Sequence, residues 1–270
     1  ALHYTVAFAD KIWVMGGQTT PQFAPAEPRF YNDIWTSIDG VTWAEVTPKQ
    51  PLWSPRGLIG GSVVFKNKIW LLGGGTYDTP QVPERKFYND VWSSADGVNW
   101  ERHLVVAPWH VRQYHDVGVF DDKMWFMGGW FNGRLEGHSA SSAVWWSTDG
   151  KNWEQATARA QWTPRIAAAC VVFDGKMWLL GGTENYYFGD ESSLKNDVWL
   201  SSDGQEWNQA TANAEWSPRA YHQAAVLNRK IYVFGGGNYV PEYHAVNDVW
   251  SSEDGVHWKQ ETEATPWHPR

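Results

Sequence analysis

One pattern recurs five times and constrains everything else this chain can do. Its fullest copy reads Lys68-Ile69-Trp70-Leu71-Leu72-Gly73-Gly74, followed by Asn89-Asp90-Val91-Trp92-Ser93-Ser94-Ala95-Asp96-Gly97-Val98-Asn99-Trp100. Gly-Gly pairs fall at 16/17, 73/74, 128/129, 181/182 and 235/236, and Asp-Gly pairs at 39/40, 96/97, 149/150, 203/204 and 254/255. The period is 51–57 residues. Self-similarity at that spacing describes units that bury their faces only against one another, so the 270 residues form one domain rather than two.

Cut after an arginine, the copies are 1–56, 57–112, 113–165, 166–219 and 220–270. Each reads as four short strands rich in β-branched and aromatic residues, with no sustained helical period. The first is an apolar run such as Gly61-Ser62-Val63-Val64-Phe65, the second ends in Gly-Gly, the third holds Asn-Asp-Val-Trp, and the fourth opens at the Trp after Asp-Gly. The fold class expected is all-β: a five-bladed β-propeller of four-stranded antiparallel blades. The end of the chain runs in phase into its start, so noncovalent closure of a ring is expected.

The connections divide into two kinds. Strands 1 and 2 meet through tight polar turns (Ala9-Asp10, Lys66-Asn67, Asp121-Asp122, Asp174-Gly175, Asn228-Arg229), and strands 3 and 4 through the Asp-Gly turns. The 2–3 connections are long and differ between copies. In an up-and-down blade these two kinds lie on opposite faces. Variable loops on a rigid scaffold are where binding usually resides.

Tryptophan is the compositional extreme, with 21 residues. Four slots per copy account for nineteen of them plus Tyr232; only Trp130 and Trp146 fall outside. Repetition at structural positions reads as packing between blades, since each indole buries a large area. The linker tryptophans Trp53, Trp109, Trp162, Trp216 and Trp267 either pack in this way or frame a pocket. A net charge of -8 argues against a nucleic-acid partner, and no apolar run is long enough to span a bilayer. The single Cys170 sits in an apolar strand and excludes an internal disulfide. The compartment stays open, with an extracellular or periplasmic setting preferred.

The ordered set (Gly-Gly closing strand 2, Trp in strand 3, Trp opening strand 4, Pro-Arg before the next strand 1) resembles Kelch repeats across essentially the whole chain. The Ser-x-Asp-Gly-x-x-Trp turns opened by Ser37, Ser94, Ser147, Ser201 and Ser252 resemble the Asp-box of sialidase propellers, one residue shorter. Five blades is fewer than the six or seven usual for Kelch propellers. The copper chemistry of galactose oxidase, which shares the architecture, does not map onto Cys170, and no cofactor is expected.

Candidate ligand-binding residues follow from position. Arg56, Arg112, Arg165, Arg219 and Arg270 each precede an innermost strand and would surround the channel mouth, where guanidinium forks suit acids. The resemblance favours a role in gripping acidic peptides; the competing reading pairs each Arg with the Asp of Asn-Asp (Asp33, Asp90, Asp197, Asp248). Copy 3 has Ser142-Ala143 in place of Asn-Asp, so a guanidinium near there is the candidate for a ligand's acid. His3, His115 and His222 share one repeat position, flanked by Tyr114 and Tyr221 in two copies. A metal is disfavoured there because copies 2 and 4 carry Gly60 and Ala168. The 2–3 loops add Tyr77, Trp130, Tyr186 and Tyr239. No nucleophile elbow, phosphate loop or zinc motif is present.

The reading is a noncatalytic, monomeric propeller that recognises an acidic protein or glycan at the channel mouth. Two alternatives stay open: an enzyme similar to Kelch-type sialic-acid mutarotases, to be recognised by a perturbed His115 or His222 beside a carboxylate, and an engineered or excised scaffold.

Overall fold

The computed structural model describes residues 3–19, 29–57, 60–76, 86–130, 140–184, 191–238 and 244–269. The described residues are built almost wholly of short strands in five four-stranded antiparallel sheets. The first contains β1 (Tyr4–Phe8), β2 (Lys11–Thr19), β3 (Arg29–Ser37) and β4 (Ala44–Glu45). The second contains β5 (Gly61–Phe65), β6 (Lys68–Gly75), β7 (Phe87–Ser94) and β8 (Trp100–Leu104), and the third β9 (Gln113–Phe120), β10 (Lys123–Trp130), β11 (Val144–Ser147) and β12 (Glu154–Thr157). The fourth contains β13 (Ala169–Phe173), β14 (Lys176–Thr183), β15 (Leu194–Ser201) and β16 (Asn208–Thr211), with a 3-10 turn at Glu191–Ser193. In the fifth, β17 (Gln223–Leu227) and β18 (Lys230–Phe234) precede a two-residue pair, β19 (Gly237–Asn238) and β20 (His244–Ala245), before β21 (Val249–Ser252) and β22 (Lys259–Thr262). Each sheet is ordered as the chain runs, the up-and-down blade of a β-propeller. The chain divides into two compact units, Ala1–Met124 with Ser147–Trp153, and Trp125–Trp146 with Glu154–Arg270.

Local chemistry explains the blades. The 1–2 hairpins have two-residue loops, as in Phe8↔Lys11 and Phe65↔Lys68. Both loop residues take positive φ, for example Lys66 at 47° and Asn67 at 55°, the type I′ geometry that matches strand twist. At the Asp-Gly turns, Ser37 Oγ accepts the Gly40 amide, and Asp39 Oδ1 accepts the amides of Val41 and Thr42. Hydrogen bonds from the Thr42 and Val41 amides, then from Ser37, hold the Asp39 carboxyl down to about 2. The same bonds recur at Ser94 and Asp96 and at Ser252 and Asp254. The Gly-Gly pairs are bulges: the β2–β3, β6–β7 and β14–β15 registers each shift there.

Tryptophan fills the space between successive sheets. The strand-2 indoles of Trp13, Trp70, Trp125 and Trp178 lie over Gly97, Gly150, Gly204 and Gly255 of the following sheet's Asp-Gly turn, where any Cβ would overlap the ring. The linker indoles meet the following sheet's strand-4 indoles edge to face: Trp53–Trp100 at 4.8 Å, Trp109–Trp153 at 4.5 Å, Trp162–Trp207 at 6.1 Å and Trp216–Trp258 at 5.9 Å between centroids. The packing reading of the repeated tryptophans is therefore what the structure displays, linker positions 53, 109, 162 and 216 included. Gly97→Ala combines a left-handed backbone with a clash against Trp13, so it lowers unfolding free energy by about 2–4 kcal/mol. Chemical denaturation checks this, and an unchanged midpoint would remove the turn from the account.

Candidate functional site

The structure places three of the linker arginines in one repeated brace. The Arg56 carbonyl accepts the Gly17 amide of its own sheet at 2.9 Å. Its guanidinium reaches into the next sheet, donating to both oxygens of Asp90 (2.6 and 3.0 Å) and to the Gly73 carbonyl at 3.1 Å. Its plane also lies 3.9 Å from the Tyr88 ring centroid. Arg165 binds Asp197 at 2.5 and 2.9 Å and the Gly181 carbonyl at 3.0 Å. Arg219 binds Asp248 at 2.7 and 2.8 Å and the Gly235 carbonyl at 3.1 Å. Trp92, Trp199 and Trp250 donate to the same carboxylates, adding a third hydrogen bond to each. All three guanidinium groups are buried.

The residue before each Asp was not singled out from sequence, yet it closes the brace. Asn89 Nδ2 donates to the carbonyls of Ala107 and Trp109, and Asn196 and Asn247 repeat this on Ala214 and Trp216 and on Thr265 and Trp267. Asn32 donates to Trp53. The signal available was Asn-Asp itself, present in four copies. In copy 3, Ala143 stands where the others have Asp. There Arg112 Nε donates to the His110 carbonyl at 3.1 Å, and burial pushes the guanidinium down to about 10.

Two of the histidines lie beside the brace glycines, His115 against Gly73 and His222 against Gly181. His115 is buried with Nε2 3.1 Å from the Leu72 carbonyl and 2.9 Å from the Gly61 amide. His222 is buried against Gly181. Burial, and then the charge of Arg112 or Arg219, lowers each imidazole to about 3. His3 is exposed. Tyr114 and Tyr221 take φ of 54° and 60° where linker turns into inner strand. Trp130 is buried at the end of β10. Tyr77, Tyr186, Tyr239 and Arg270 lie outside the described residues. Among the described residues no group of three His, Cys, Asp or Glu could hold a metal ion.

Asp116 was missed by sequence reasoning. It follows His115 in β9, where other copies have Tyr4, Gly61, Ala169 and Gln223. Burial alone pushes its carboxyl up to about 8. His115 does not contribute to that shift, nor Asp116 to the shift at His115, and strand alternation sends them to opposite faces. A cleft of about 460 Å³ opens beside Arg165 and Asp197, lined also by Lys195, Asn196, Trp199 and Gln209. A second, of about 810 Å³, lies at the tight-turn end between Asp174, Arg229 and Glu253.

Five four-stranded blades, Gly-Gly bulges and linkers braced across to the next blade define a Kelch-repeat β-propeller. The Kelch motif matches residues 218–251 directly. Alpha-scruin of Limulus polyphemus is 28% identical over 159 residues, covering 56% of this chain and 16% of that protein. The leucine-zipper-like transcriptional regulator 1 homolog of Drosophila melanogaster is 25% identical over 268 residues, covering 92% of this chain and 26% of its own length. The tRNA wybutosine-synthesizing protein 2/3/4 of Oryza sativa subsp. japonica is 30% identical over 76 residues, 27% of this chain and 7% of that protein. The chain thus spans a small part of each relative.

Two measurements test this site. Arg165→Ala leaves Asp197 buried without its cation and costs about 3–5 kcal/mol; the double variant with Asp197→Ala costs less than the sum, and additivity would remove the pair. The second is the pH dependence of stability. His115 and His222 are protonated below pH 6.5 only in the unfolded chain, so their contribution is complete above pH 6.5. It falls by roughly 1.4 kcal/mol per pH unit for each as pH drops toward 3. Asp116 acts oppositely: the unfolded carboxyl ionises near 3.8 and the folded one near 8, so it costs stability as pH rises between them. Asp116→Asn should raise Tm at pH 7 and leave it nearly unchanged at pH 3.

Proposed function

We propose that this chain is a noncatalytic recognition propeller that binds a protein ligand through acidic groups, on the face carrying the 2–3 connections and the linkers. The observation that supports this most directly is a pair of exposed cations at one repeat position. Arg29 opens β3 and Lys86 immediately precedes β7, equivalent positions at the end of the 2–3 connection, and both are exposed. Arg29 lies 5.2 Å from the Tyr31 ring centroid, giving an aromatic surface beside a cation. The internal commitment of Arg56, Arg165 and Arg219 moves the acid-binding role away from those three and onto such peripheral cations. The protein rather than glycan choice is consistent with the large relatives, in which this chain corresponds to one part among others.

Selection of a random peptide library on the chain, with a glycan array beside it, tests the reading. Enriched acidic peptides are expected, with affinity lost about tenfold or more in Arg29→Glu/Lys86→Glu and a steep decrease with added salt. Binding confined to the glycan array would assign the face to saccharides, and enrichment of neutral or basic peptides unaffected by the charge reversal would overturn the proposal.

A further inference from the structure

The turns joining strands 1 and 2 obey one rule in four copies and break it in the fifth. Their second residue takes the left-handed backbone of a type I′ turn, and it is Asp10, Asn67, Asp122 and Gly175 in the first four blades. These residue types tolerate it: Gly lacks a Cβ, and the short side chains of Asn and Asp bond locally. In the fifth blade the position is held by Arg229, at φ 60°. A long side chain is disfavoured there, so the turn does not account for it. Bonding within the molecule does not account for it either. Arg229 is exposed and makes no hydrogen bond or ion pair among the described residues. Local backbone rules are broken where a site, rather than the fold, needs the side chain.

Arg229 lines the cleft of about 810 Å³ at the tight-turn end of the fourth and fifth blades, a volume within the range of small-molecule sites. One wall is apolar. Val172 and Val226 are 39% and 42% exposed, and the Phe173 ring centroid lies 6.1 Å from that of Trp178. The two turns of the cleft carry opposite charges, Asp174 on one and Arg229 on the other. Asp174 is likewise exposed and has no ion pair among the described residues, whereas Glu253, the remaining charge of the lining, is held by Lys230 at 3.0 Å. All of these residues belong to one compact unit.

We propose that this cleft binds a small zwitterion with an apolar body: an apolar amino acid, or a short apolar peptide with free ends. Arg229 takes the carboxylate, Asp174 takes the ammonium, and Val172, Phe173 and Val226 take the side chains. A ligand with both charges follows from a lining that offers one unpaired charge of each sign, since a simple carboxylate would set a like charge against Asp174. The cleft lies at the end of the blades opposite the 2–3 connections, so it stands independently of the recognition face proposed above.

Nuclear magnetic resonance titration of the 270-residue chain with L-leucine and with dileucine reads the site directly. Saturable amide shifts confined to residues 172–175 and 226–230 are expected, and the tighter binder of the two fixes the length of the ligand. Acetylating its amine or amidating its carboxylate weakens binding roughly tenfold or more. Two variants separate the roles and keep the turns intact. Arg229→Gly, which restores the residue found at Gly175, weakens binding roughly tenfold or more and keeps or raises Tm, whereas a structural guanidinium would lower it. Asp174→Asn, which installs the residue found at Asn228, removes most of the discrimination between the free and the acetylated amine. Absence of saturable shifts with both ligands, equal binding of free and blocked forms, or a Tm lowered by Arg229→Gly would overturn the proposal.

Discussion

The buried arginine fork is the interaction on which the blade architecture rests. A linker between blades has to leave one sheet, cross to the next and enter it at the right height. Arg56, Arg165 and Arg219 settle all three with one residue, because the backbone is bonded to the sheet just completed and the side chain to the one about to begin. Burying a guanidinium without a partner would be prohibitive, so the aspartate has to be present and correctly aimed. The Asn beside it pins the linker carbonyls, and the indole two residues on adds a third hydrogen bond to the carboxylate. The pieces are few and short-range and recur at three junctions, which is what lets short strands hold their sheets in order.

Much of this was legible in the sequence, for a physical reason. The blade repeats, so any residue required by geometry appears at a fixed spacing. The fourfold tryptophan slots, the Gly-Gly pairs and the tight turns could be placed from the sequence alone; that the pairs are bulges and the turns type I′ could not. The pairing of Arg with the Asp of Asn-Asp was also visible as one of two readings. That each Arg takes the Asp of the following copy was not, since the Asp of its own copy is nearer in sequence, Asp33 being 23 residues from Arg56 and Asp90 34. Asn89 and its equivalents escaped notice because amide-to-carbonyl clasps leave no charge pattern. The period shared by His3, His115 and His222 reads in the sequence as a ligand set. Yet His115 and His222 fill space beside Gly73 and Gly181, where the glycines of the bulge leave room.

The candidate site was harder to see than the scaffold. Binding faces of propellers are built from the parts that do not repeat, and non-repeating residues have no internal control. Asp116 illustrates this. A carboxylate within an apolar inner strand was a local anomaly visible in the sequence, but its upward displacement depends on how densely its surroundings exclude water. Arg29 and Lys86 become a pair only once the third strands are aligned. The interior brace and the peripheral cations also divide the work. Arginines that appeared suited to holding a ligand hold the blades together.

The edge-to-face tryptophan pairs have an optical consequence. Indoles whose centroids lie 4.5–6.1 Å apart are close enough for their electronic transitions to couple, and the sign and size of the resulting circular-dichroism couplet depend on the angle between the rings. Each blade-to-blade contact therefore carries its own chromophore pair, formed from one residue of each neighbour. Separation of two blades extinguishes one couplet and leaves the strand signal within each blade intact. The molecule thereby distinguishes, without a label, the parting of its blades from the melting of its sheets.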